Sequence, residues 1–86
     1  MDRLDAMATF VVVLDEGGFS AASRRLGMPL ATVSRKVAEL EEHLGATLLT
    51  RSTRHVAATE VGLGFALTVR RLIEELAEAE RQAAGA

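Results

Sequence analysis

Apolar residues recur at Leu4, Met7, Ala8, Val11 and Leu14, a spacing that predicts a first helix over about residues 3–16 with one apolar face. Gly17-Gly18 stops it, because glycine readily takes the left-handed conformation that ends helices. Ser20 then suits the N-cap of a second helix, whose apolar positions are Ala22 and Leu26 and whose end is Gly27. Pro29 can stand only at or before the start of a third helix. From about Ala31 that helix carries Val33, Val37, Leu40 and Leu44 on one stripe, and Gly45 closes it. Its opposite face shows Thr32, Ser34, Arg35, Lys36 and Glu39.

The pattern changes at "TLLTRSTRHVAAT", where β-branched and apolar residues flank a polar centre. This predicts a short two-stranded hairpin with Ser52-Thr53-Arg54 near its tip, although no Asn-Gly turn sets its geometry. Thr59 is placed to cap a last helix, along which Val61, Phe65, Val69, Leu72, Ile73, Leu76 and Ala83 trace an apolar stripe. Such a helix would be roughly 35 Å long, more than a small domain can cover. Its second half, "LIEELAEAERQ", calls for another apolar surface, and the same helix of a second copy supplies one through Val69, Leu72, Ile73 and Leu76. The alternative is a solvated terminal helix held by Glu/Arg pairs.

Composition narrows the class. Eighty-six residues make one domain near the lower limit for a single apolar core. With 49% hydrophobic and 26% charged residues, the chain is globular and not a disordered tail. The lack of cysteine excludes a disulfide framework and a Cys-based zinc site. His43 and His55 are isolated, without metal-ligand spacing, so no metal or other cofactor is expected. The apolar run from Phe10 to Leu14 is too short to span a bilayer, and Asp2 and Asp5 stand where a signal peptide would be basic. The default expectation is a cytoplasmic protein without a membrane partner.

A net charge of −2 argues at first against a nucleic-acid partner, but its distribution argues the other way. Residues 1–19 set Arg3 against Asp2, Asp5, Asp15 and Glu16, for −3. Residues 20–56 set Arg24, Arg25, Arg35, Lys36, Arg51 and Arg54 against Glu39, Glu41 and Glu42, for +3. Residues 57–86 set Arg70, Arg71 and Arg81 against Glu60, Glu74, Glu75, Glu78 and Glu80, for −2. A phosphate backbone responds to the local field of such a basic island more than to the total.

Two helices joined by a short turn and followed by a hairpin form a winged helix-turn-helix. A B-DNA major groove admits one α-helix, and backbone amides at helix starts meet phosphates. Ala22 and Ser23 are small enough for the two helices to cross closely, Gly27 lets the chain turn, and Val33 fills the gap. Arg35 can pair with a guanine edge, Ser34 and Thr32 can bond to base or phosphate, and the Thr32 methyl can meet a thymine methyl. Arg51 and Arg54 flank a hairpin tip thin enough for a narrow, electronegative minor groove. A solvated helix face beside a basic loop is the other reading. A winged helix used only for protein association is a third, since Glu39, Glu41 and Glu42 partly neutralise Arg35 and Lys36. Catalysis is disfavoured: neither histidine sits in a nucleophile–base motif, and no glycine-rich phosphate loop precedes a helix.

Across essentially its whole length the chain resembles the N-terminal domain of LysR-type transcriptional regulators, through "FVVVLDEGGFSAASRRLGM", "TVSRKVAELEEHLGATLLTRSTR" and "TEVG". The resemblance implies a mainly α fold: a winged helix-turn-helix over residues 1–58 (helix-turn-helix about 20–44, wing about 47–58), then a linker and dimerisation helix over 59–86. It implies a bacterial regulator that binds a partly symmetric double-stranded operator as a homodimer, possibly a tetramer at full length. Its effector-binding domain for a small molecule would lie beyond Ala86, so the chain is expected to be a DNA-binding domain of a longer protein or a short natural relative.

Carried onto this sequence, the groove-facing serine and arginine of the family fall on Ser34 and Arg35, and the wing arginine on Arg54, with Arg51 a second basic wing position and Thr53 between them. Ser20 and Lys36 are the expected phosphate contacts. The family's Gln-Pro at the helix start is replaced by Leu30-Ala31, with Pro29 where a capping serine is usual. An amide able to read adenine is therefore missing, and Leu30 and Ala31 are left to touch thymine methyls or to make no base contact.

Overall fold

The computed structural model describes residues 1–52 and 55–85. Helix α1 (Arg3–Glu16) starts from Asp2, whose carboxylate accepts the Asp5 N–H at 3.1 Å, and ends at Gly17 in the left-handed region, φ +78°. Helix α2 (Phe19–Leu26) begins two residues earlier than expected: Gly18 holds the N-cap position without a side-chain cap, and Ser20 lies inside the first turn. Helix α3 (Leu30–Leu44) follows directly on Pro29, and Gly45 ends it at φ +65°.

The hairpin pairs β1 (Leu49–Arg51) with β2 (Val56–Ala58) antiparallel, Leu49 opposite Ala58 and Arg51 opposite Val56. Ser52 closes the turn: its N–H donates to the His55 carbonyl at 3.0 Å, and its hydroxyl accepts the His55 N–H at 3.1 Å. Helix α4 (Glu60–Gly85) is about 39 Å long at 1.5 Å per residue. Thr59 caps it as expected, its hydroxyl accepting the Gly62 N–H at 2.9 Å. The described residues thus form a mainly helical winged helix-turn-helix with a long last helix. None of these helices is long and apolar enough to cross a membrane.

One core joins the elements. Ala6, Phe10 and Val13 of α1 meet Ala22 of α2, Val33, Val37 and Leu40 of α3, Leu48 and Leu49 at the hairpin, and Ala66 and Val69 of α4. Phe10 tilts against Phe65 with ring centroids 6.0 Å apart. Each large side chain fully buried here contributes about 1.5–3 kcal/mol.

Two expected apolar faces need correction. On α1 the buried set is Ala6, Thr9, Phe10, Val11 and Val13, whereas Leu4 stays exposed. The run from Phe10 to Leu14 is apolar all round, and α1 is covered by α2, α3 and α4 together, so spacing alone misplaced the stripe. Thr9 is tolerated there because its hydroxyl donates to the Asp5 carbonyl at 2.8 Å. On α4 the buried residues are Gly62, Ala66 and Val69, while Val61, Leu72 and Leu76 are exposed. At Gly62 the helix lies so close to the Leu48 backbone that a Cβ would not fit, and further along Phe65 and Ile73 pack half-buried against the core. After Ile73, every described residue except Ala77 is exposed.

Candidate nucleic-acid interface

The site is built on the head of α3. Pro29 supplies the fixed φ (−58°) that leads into the helix, and its carbonyl accepts the N–H groups of Thr32 and Val33 at 3.0 and 3.1 Å. Val33, Val37 and Leu40 are sealed in the core and fix the helix's rotation. At 3.6 residues per turn, that rotation turns Ala31, Ser34, Arg35 and Ala38 outward on one arc. Leu30, 47% exposed, stands at the tip. Helix α2 braces this arrangement: Ala22 is fully buried, and the Ser23 hydroxyl donates to the Met28 carbonyl, tying the turn together.

Beside the α3 head lies an open groove of about 610 Å³, walled by Ser20 and Arg24 of α2, Leu30 and Ser34 of α3, and Ser52, His55 and Val56 of the hairpin. Ser20, Leu30 and Ser34, picked from sequence, thus share one surface. Arg35 points away from this groove, toward the N-terminal side of α1, with its Nε 3.6 Å from a Glu39 carboxylate oxygen. Its side chain stays 64% exposed, so this i,i+4 pair is open to exchange. Thr32 is half-buried and lies one turn from Lys36.

Several sequence-chosen residues stand elsewhere than expected. The Lys36 ammonium is held by the Asp5 carboxylate on α1, an ion pair that braces α1 against α3. Arg51 sits on the same side of β1 as Leu49, as the two-residue period of a strand requires. Its guanidinium carbon lies 4.6 Å above the Phe19 ring, and a guanidinium nitrogen lies 3.8 Å from Glu41. Thr53 and Arg54 lie outside the described residues. Val69 is 1% exposed and packs within its own domain, which removes it from the dimerisation set. Leu72 and Leu76 of that set are exposed and Ile73 is half-buried.

Sequence reasoning missed Arg24. It is exposed, one turn beyond Ser20 on the groove side of α2, and has no ion pair among the described residues. The four-residue spacing from Ser20 was the available signal. Leu63 and Leu67, 57% and 64% exposed, were missed as well. Linking α1 to α4, Arg70 donates to both carboxylate oxygens of Asp15. The guanidinium holds the Asp15 carboxyl below the usual carboxylate range against an opposing contribution from burial, and the carboxylate raises Arg70 in turn.

Residues 4–63 match the family model for bacterial regulatory helix-turn-helix proteins of the lysR family. The chain belongs to the LysR family. Among LysR-type and related relatives, it is 45% identical over 80 residues to an HTH-type transcriptional repressor of Pseudomonas aeruginosa (strain UCBPP-PA14), covering 93% of this chain and 25% of that protein. It is 38% identical over 82 residues to the HTH-type transcriptional activator AaeR of Escherichia coli (strain K12), covering 95% of this chain and 26% of that protein. The chain therefore spans about a quarter of these curated relatives. Among solved structures, the BenM DNA-binding domain in complex with catB site 1 DNA superposes with a TM-score of 0.93 at 30% identity, covering 98% of this chain and 92% of that one. The LysR-family regulator CbnR superposes with a TM-score of 0.92 at 29% identity, covering all of this chain and 29% of that one.

Proposed function

We propose that this chain is the DNA-binding part of a bacterial LysR-type transcriptional regulator and binds a partly palindromic double-stranded operator as a homodimer. The observation that carries the reading is the outward arc at the head of α3, set beside a hairpin wing, in a fold shared with DNA-complexed domains. Arg35 pairs with a guanine edge, its exposed Glu39 partner exchanging for base atoms. Ser34 bonds to base or backbone. Leu30 and Ala31, apolar and exposed, meet thymine methyls. Ser20 and Arg24, across the groove, hold a phosphate. The hairpin enters the minor groove with Arg54 and Thr53 at its tip.

Dimerisation through α4 follows from the large apolar side chains it leaves in water: Val61, Leu63, Leu67, Leu72 and Leu76. A second copy of the same helix covers such surface with twofold symmetry. Residues 1–58 form the reading head and 59–86 the linker helix. A further domain, if a longer protein carries one, would bind a small effector and decide between dimer and tetramer; the regulator works in the cytoplasm without catalysing a reaction.

A second reading, protein association alone, draws on the ion pairs that occupy Arg35, Lys36 and Arg51. Anisotropy titrations at two salt concentrations decide between them, comparing the tightest duplex drawn from a randomised pool with a random-sequence duplex. DNA reading predicts tighter binding to the selected duplex at both concentrations. Equal, weak affinity for both would favour association.

A further inference from the structure

The hairpin is fastened at more points than a free wing needs. Glu41 reaches from α3 to the start of β1, where one carboxylate oxygen accepts the N–H groups of Leu48 and Leu49 at 2.8 and 3.3 Å. Its other oxygen faces the Arg51 guanidinium at 3.8 Å, and that guanidinium lies over Phe19, the first residue of α2. On the second strand, the Val56 N–H donates to the Gly17 carbonyl at 3.3 Å. Glu41, 18% exposed, is well shielded, so its bonds compete little with water.

We propose that Glu41, Arg51 and Phe19 form a latch that sets the wing's angle against the heads of α2 and α3, and that Arg51 is a positioning residue for DNA recognition and not a DNA contact. The proposal rests on the DNA-binding reading above and deepens it. A planar guanidinium can lie flat on the Phe19 ring while facing a carboxylate, which a compact ammonium cannot do at once. The described strands of the hairpin are then held at a fixed distance from the α3 head. Exposure of Arg51 (49%) admits the opposite role, a phosphate contact, and the two make contrary predictions.

Glu41→Gln separates them. If Arg51 reached a phosphate, removal of the carboxylate beside it would release the guanidinium and tighten binding to every duplex. As a latch, the loss weakens binding to the selected duplex several-fold. Arg51→Lys adds a second arm: a phosphate contact is rescued by the retained charge, whereas a latch is not. Arg51→Gln gives a third, since a latch leaves the salt slope unchanged and a phosphate contact flattens it by about one unit.

Amide exchange measured at Ser52 and Val56 in each variant keeps the proposal testable without DNA. Faster exchange at both, with Val37 and Leu40 unchanged, supports the latch, and unchanged exchange overturns it. Tighter binding by Glu41→Gln, or full rescue by Arg51→Lys, also overturns it. If the wild-type chain bound neither duplex, the DNA reading would fail, and the exchange result alone would decide the latch.

Discussion

The backbone carbonyl of Leu48 occupies the space that a side chain on Gly62 would need: a Cβ there would stand 2.0 Å from the Leu48 oxygen. The same oxygen accepts the Thr59 N–H at 2.9 Å, so the hairpin base and the start of α4 are locked backbone to backbone. Nothing lies within 4 Å of a Cβ on Gly64, two residues on. Substitution at these two glycines therefore has opposite effects. Gly62→Ala forces the backbones apart and destabilises by about 1–3 kcal/mol or more. Gly64→Ala stabilises by about 0.5–1 kcal/mol by stiffening an exposed helix. Urea unfolding of both variants checks the pair of signs.

The Asp15–Arg70 pair adds a modest acid-side dependence to the stability of the fold. Its folded carboxyl titrates below the ordinary aspartate value of about 3.9, so between those values the unfolded chain binds more protons. The stabilisation is complete above about pH 5 and is lost as pH falls through the folded value. Asp15→Asn should remove that part of the dependence. Thermal melts of both proteins from neutral to acid pH would converge as the medium becomes acidic, and parallel curves would exclude the pair as a source.

Arg24 and Lys36 should separate in salt titrations. Arg24→Ala lowers affinity on selected and random duplexes alike and flattens the salt slope by about one unit, as expected for one phosphate contact. Lys36→Ala leaves the slope unchanged, because its ammonium belongs to Asp5. Its stability loss stays within about 1 kcal/mol, since the carboxylate partner is 43% exposed and open to solvent screening. A slope change on Lys36→Ala would return it to the phosphate contacts.

Leu76→Glu and Val69→Glu test the use of α4. Leu76 is 47% exposed and its substitution should yield a folded monomer by light scattering, with large loss of operator affinity as the half-sites uncouple. Val69→Glu should unfold the domain by circular dichroism, because a charge would enter the core. A dimer persisting in Leu76→Glu would move the interface elsewhere.

The helices were legible because their ends are written in local chemistry. Gly17, Gly27 and Gly45 take left-handed conformations at the three predicted stops, and Thr59 caps where its hydroxyl can reach an orphan N–H. Helix faces were less legible. In α1 an unbroken apolar run carries no phase, and in α4 the contact face is marked by Gly62 and Ala66, which a search for bulky residues passes over. Within the interface, Leu30 and Ser34 could be grouped from their four-residue spacing on α3, whereas Ser20 joins them only through the packing of α2 beside α3. The fates of Lys36 and Arg51 could not, because Asp5 and Phe19 lie far away in sequence. Strand alternation did hold a clue for Arg51, since it shares a side with Leu49.

The most direct test of the central claim is Arg35→Ala, titrated against the selected duplex and a random one at fixed salt. If the α3 head reads bases, affinity for the selected duplex falls by about 1–3 kcal/mol, with little change on random DNA and relaxed base preference at one position per half-site. Equal loss on both duplexes would contradict base reading by this helix.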